Sequence, residues 1–181
     1  MRRHASVLVG LVAFGVSLAL VGGCGGAGTG DPVADGVPKF ASSNYIELAG
    51  INRVSRFRSG IGHDYSDSLE NCRSMKHYFQ PSVDMAEAPR VFSPVDGVIS
   101  RIEEERTSGQ QVHIRPYGYQ AFDCVLFHVT ILQSVHQGDE VASGQQLGTH
   151  TPYGGCSDIA VSVENAVPGG WKLISYFEVI T

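Results

Sequence analysis

The sequence predicts an all-β domain, and three observations carry that prediction. Between Arg90 and Gly148 the chain is a series of short β-type runs broken by Pro, Gly and Asp: RVFSPVDGVIS (90–100), QVHIRP (111–116), DCVLFHVTIL (123–132) and SVHQGDEVASGQQLG (134–148). Glycine is abundant, 22 of 181 residues, and spread throughout, as many tight turns require. No stretch after Pro81 keeps a helical period over ten residues or more. A charged fraction of 17% against 43% hydrophobic residues provides a core and argues against a mostly disordered chain.

Taken in order, the chain opens with Arg2, Arg3 and His4, an apolar run from Ala5 to Leu20, and VGGC ending in Cys24. This is the pattern of an export signal, and its end resembles the lipobox of bacterial lipoproteins, with Gly22 where Ala or Ser is usual. The expectation is a signal peptide over 1–23 and lipidation of Cys24. A simple secretory signal and an uncleaved membrane anchor are the other readings, and all three export the domain. Cleavage before Cys24 removes two arginines and no acid, leaving 11 basic and 18 acidic residues, net −7. A surface of that sign repels phosphate backbones, so no nucleic acid is expected as a partner. The stretch GGAGTGDPVADGVP (25–38) has almost no apolar content and reads as a tether, so residues 24–39 lead to a domain over 40–181.

NYIELAG and INRVSRFRS (44–59) alternate as strands, with Ile51, Val54 and Phe57 as core candidates. In GHDYSDSLENCRSMKHYFQP (62–81), His63 and Asp67 stand four apart. Asp67 to Glu70 also reads as a capping box that opens a short helix with Leu69, Cys72, Met75 and Phe79 on its apolar face. On spacing alone Asp67 is an N-cap carboxylate accepting backbone N–H bonds. The charged run Glu103 to Arg106 reads as a solvated strand end. In DCVLFHV the two-residue period puts Cys124, Leu126 and His128 on one face and Val125, Phe127 and Val129 on the other. SDIAVSVEN (157–165) and KLISYFEVIT (172–181) are expected strands. The last run stops inside apolar sequence, as the end of a sheet or of a truncated copy would. With Cys24 used for lipidation, Cys72, Cys124 and Cys156 remain for a disulfide of unspecified pairing, a thiolate ligand or free thiols.

The order of segments resembles the lysostaphin and LytM type of zinc peptidoglycan endopeptidase. That family has H-x-x-x-D, then a P-x-D-G-x-V hairpin, an aromatic-x-His strand, a double-Gly V-x-x-G motif and finally H-x-H. Here the slots hold His63 to Asp67, Pro94-Val95-Asp96-Gly97-Val98-Ile99, Leu126-Phe127-His128-Val129, Val135 to Gly148, and Asp158-Ile159-Ala160. The resemblance spans about residues 53–180. It implies a duplicated-hybrid-motif β-sandwich or barrel-like domain with one short helix after the His63/Asp67 motif. It further implies zinc held by His63, Asp67 and a third ligand, with His128 and the first H-x-H position, Asp158, steering a metal-activated water. Ala160 fills the third-ligand position and cannot bind a metal, and Tyr65 stands where glycine is usual.

His77, Cys156 or Asp158 would have to complete the site, giving at most a partial zinc site. The export signal and the resemblance together imply an envelope lipoprotein, on the outer side of the cytoplasmic membrane or in the periplasm. Its domain would be a non-hydrolytic module that binds peptidoglycan or an envelope protein. The alternative is a zinc-dependent peptidoglycan endopeptidase with a rearranged site. A carrier of the biotinyl or lipoyl type, with Lys76 as the modified lysine, is the third reading. It suits the chain poorly, because Lys76 precedes both recognisable halves.

Overall fold

A computed structural model of the chain describes residues 31–71, 73–82, 87–151 and 155–181, apart from Gly169 and the side chain of Val167. The signal segment, Cys24, residues 25–30 of the tether and Cys72 lie outside the described residues. The strands are β1 (Ile51–Val54), β2 (His77–Pro81), β3 (Arg90–Phe92), β4 (Gly97–Glu104), β5 (Gln110–Pro116), β6 (Phe122–Ile131), β7 (Glu140–Val141), β8 (Gln146–His150), β9 (Ser157–Val167) and β10 (Gly170–Ile174). All pairings between them are antiparallel, in one sheet ordered β1-β2-β9-β6-β5-β4-β7, with β10 also on β9 and β3 on β8. The all-β class therefore stands. Among the described residues, no helix is long and apolar enough to cross a membrane.

The long strand β6 organises the sheet. Its first six residues pair with β9, from Phe122↔Val163 to Phe127↔Asp158, and its last three pair with β8, from Val129↔His150 to Ile131↔Gly148. The change of partner falls at His128, whose φ is +59°. Against β5 the register jumps there as well, from Val112↔Leu126 to Gln110↔Val129, so β6 carries a bulge. The extra residue overturns the expected alternation. Val129 joins Cys124 and Leu126 in the main core, while Val125 and Phe127 face a second, smaller core with Met75, Ala160 and Leu173. His128 leaves the face of Cys124 and Leu126 and reaches Asp158, across from Phe127. The main core also takes in Tyr45, Ile46, Ile99, Ile114, Leu147, Ile159 and Tyr176. Half-buried Val33 and Val37, in the stretch read as tether, pack against it.

Several local expectations are corrected. Among the described residues the helix foreseen after Asp67 is absent; Ser74 bridges to Ser59 and to Tyr65, and the chain then enters β2. Both faces of β2 are covered, so its residues lack the polar/apolar alternation that marks a half-buried strand. Among the described residues the one α-helix is instead α1 (Tyr176–Val179), capped by Ser175 and Glu178, where a strand was expected to run to residue 181. Upstream, Leu48–Gly50 forms a 3₁₀ turn, and Val54 is exposed while Tyr45 and Ile46 supply the core. Among the described residues, Cys124 and Cys156 are both free thiols.

Candidate functional site

Of the residues singled out in the sequence, His63, His128 and Asp158 converge around one buried side chain. β9 supplies Asp158 and Ala160, β6 supplies Phe127 and His128, and β2 supplies Tyr78 beside Asp158 through the pair Tyr78↔Asp158. Continued one residue before β2, that register sets Lys76 opposite Ala160. The small alanine leaves room, and Lys76 fills it, 1% exposed. Its Nζ lies 2.8 Å from Asp158 Oδ2 and 3.3 Å from His63 Nε2. Three rings surround the ammonium, with centroids at 4.2 Å (Phe127) and 5.0 Å (Tyr65 and Tyr78). A desolvated cation is held strongly by such aromatic faces and needs its carboxylate partner.

His63 sits on a loop laid over Tyr78. Gly62 has φ +84°, and a Cβ there would overlap the Tyr78 ring, so a side chain at this position would lift the loop off the sheet. His63 Nδ1 lies 2.9 Å from the Asp64 carbonyl and therefore carries the proton, leaving Nε2 to accept from Lys76. On the opposite side, His128 Nε2 is 3.4 Å from the same Asp158 Oδ2, and its Nδ1 is 2.5 Å from Glu105 Oε2. Burial works against protonating His128, but hydrogen bonds and charge from Asp158 and Glu105 outweigh it and raise its pKa to about 9. Burial likewise disfavours an ionised Glu105, yet the bond to His128 holds its carboxyl below the ordinary value. Lys76 and His128 thus balance Asp158 and Glu105 in a buried, charge-neutral group. Glu105, expected at a solvated strand end, turns inward, its side chain 9% exposed.

Two expected ligands are employed elsewhere. Asp67 Oδ1 accepts from Leu69 N (2.8 Å) and Glu70 N (2.9 Å), as its capping pattern suggested, and Oδ2 accepts from Leu173 N (2.8 Å), covering the open edge of β10. Burial would raise its pKa, but these three N–H groups hold it below the ordinary value. His77 points away from Lys76: its Nδ1 donates to the Ser55 carbonyl and its Nε2 accepts from the Ser175 hydroxyl, both at 2.9 Å. Burial lowers its pKa, consistent with a neutral structural histidine. Among the described residues, no three His, Cys, Asp or Glu side chains are grouped to hold a metal ion. This arrangement does not fit zinc: an ammonium stands between His63 and Asp158, Asp67 is held by three backbone donors, and Ala160 offers no ligand.

No family model matches the chain, and no curated protein does. Among solved structures, Helicobacter pylori Csd3 is similar over 79% of this chain, with 18% identity and a TM-score of 0.55. A Ruminococcus gnavus protein described as a glycyl-glycine endopeptidase LytM (15%, TM-score 0.45) and lysostaphin (16%, TM-score 0.44) are similar over 57% and 56% of this chain and cover 44% and 41% of theirs. The chain spans about a third of the Csd3 chain, 35%. At this identity the likeness concerns the fold alone, and the fold shared with Csd3 agrees with the motif order of the sequence, which resembles the LytM type.

Proposed function

We propose that the protein is an exported cell-envelope lipoprotein, anchored in a membrane through Cys24, whose domain binds peptidoglycan peptide without hydrolysing it. The carrying observation is Lys76. Its ammonium lies between His63, the first ligand position of the motif, and Asp158, a candidate for the missing third ligand, and it is neutralised there by a buried carboxylate. A lysine ammonium neither polarises a scissile carbonyl as a Lewis acid does nor generates a hydroxide from bound water at neutral pH. His128 does not act as a base, because its pKa of about 9 keeps it protonated and engaged with Asp158 and Glu105. The alternative, a zinc-dependent peptidoglycan endopeptidase, requires Lys76 to leave its cage and Asp158 to exchange an ion pair for a metal bond.

The test is to incubate the full chain, in detergent, with dye-labelled peptidoglycan sacculi in zinc-replete buffer. The expected outcome is co-sedimentation with the sacculi and no release of dye. Dye release abolished by His63→Ala would establish the hydrolase instead. Absence of both binding and release would remove peptidoglycan as the ligand and leave an envelope protein as the partner.

A further inference from the structure

Beside the Lys76 group, the loop over residues 59–64 and the pair Arg73 and Ser74 enclose a cavity of about 240 Å³. This volume is below the roughly 300–1,000 Å³ of small-molecule sites, so the cavity suits one end of a ligand chain. Arg73 is exposed, and among the described residues no carboxylate lies within ion-pair distance of its guanidinium. Ser74 is 3% exposed, and its Oγ is buried without a hydrogen-bond partner. The backbone N–H groups of Gly60, Gly62 and His63 have no acceptor among the described residues. The wall is rigid for a loop: Ser74 N donates to Ser59 O (3.1 Å), and Gly62 is pinned against Tyr78.

We propose that this cavity binds the C-terminal carboxylate of a short peptide. The planar guanidinium of Arg73 matches a carboxylate in two parallel hydrogen bonds. The loop N–H groups meet the remaining lone pairs, as backbone nests do for anions. Asp64, also on the wall, adds a negative charge that favours a singly charged carboxylate over a phosphate. Ile61, 60% exposed on the same loop, offers an apolar contact to the residue behind the carboxylate.

The inference rests on the peptide-binding reading above and specifies which end of the peptide is held. Its test titrates the full chain in detergent with N-acetyl-alanyl-alanine, as the L,L and D,D forms, with the corresponding C-terminal amides, and with inorganic phosphate. At least one acid should bind, with its amide at least tenfold weaker and phosphate weaker than the acid. Arg73→Gln should lose at least tenfold in affinity for the acid while keeping its melting temperature, since the side chain is exposed. Equal binding of acid and amide, unaltered binding by Arg73→Gln, tighter binding of phosphate, or binding of no probe would each overturn it. If the probes fail while sacculi still retain the chain, only the carboxylate site falls; if both fail, the peptide-binding reading falls with it.

Discussion

Replacing Lys76 by methionine keeps most of the side-chain volume and removes the positive charge that Asp158 faces at 2.8 Å. Removing one partner of a buried ion pair costs about 3–5 kcal/mol, because the other charge stays behind without compensation. His128, 3.4 Å from the same oxygen, softens that loss and puts the expectation at the lower end. Three ring faces lose a desolvated cation, worth up to about 2 kcal/mol, but the methionine thioether recovers much of that through its own contacts with Phe127, Tyr65 and Tyr78. The net expectation is a destabilisation of about 3 kcal/mol, a fall of about 6–12 °C in melting temperature for a chain of this length. Urea unfolding followed by circular dichroism measures it. In Lys76→Met/Asp158→Asn the orphaned charge is gone, so the double variant should recover about 2–3 kcal/mol relative to the sum of the singles. A single-variant cost within about 0.5 kcal/mol of zero, or strict additivity, would show that Lys76 behaves as an ordinary surface lysine and would refute the reasoning.

Two further predictions concern pH and the loop. The folded pKa of His128, about 9, lies above its ordinary 6.5, so its stabilisation is complete below about pH 6.5 and is lost as pH rises through about 9. That loss amounts to about 3 kcal/mol, and His128→Gln should flatten the alkaline limb of melting temperature against pH; an unaltered limb would contradict the ion-pair geometry. Asp67→Ala removes the acceptor of three backbone N–H groups and should cost about 2–3 kcal/mol in urea unfolding, with Asp67→Asn recovering part of it. Because the Asp67 pKa is depressed, its contribution should be present above about pH 4 and fade as pH falls further; a cost independent of pH in that range would show that the carboxylate charge is unimportant.

The β class was legible because Pro, Gly and Asp punctuate the strands at the places where the sheet turns. His63, His128 and Asp158 were legible through the motif order of the family resemblance, and the structure brings them to one site. Lys76 was not, for two physical reasons. Its burial depends on Ala160 across the sheet, a long-range pairing that no local pattern announces, and β2 is covered on both faces, which erases the alternation that would have marked it as a strand. The capping signal at Asp67 was genuine chemistry read at the wrong scale: the carboxylate does take the N–H groups of Leu69 and Glu70, but its third bond goes to β10 in place of a helix. His128 was assigned to the wrong face because a single left-handed residue inverts a two-residue period. Glu105 looked solvated amid Glu103, Glu104 and Arg106, and only the bend after β4 turns it towards His128.

The most direct test of the account is the zinc content of the full chain, purified without chelator or affinity metal, dialysed against trace zinc and compared with His63→Ala by elemental analysis. With the Lys76 ammonium between His63 and Asp158, both proteins should carry far less than one zinc per chain. About one zinc per chain in the parent protein, lost in His63→Ala, would mean that Lys76 gives way to a metal, and would contradict the central claim.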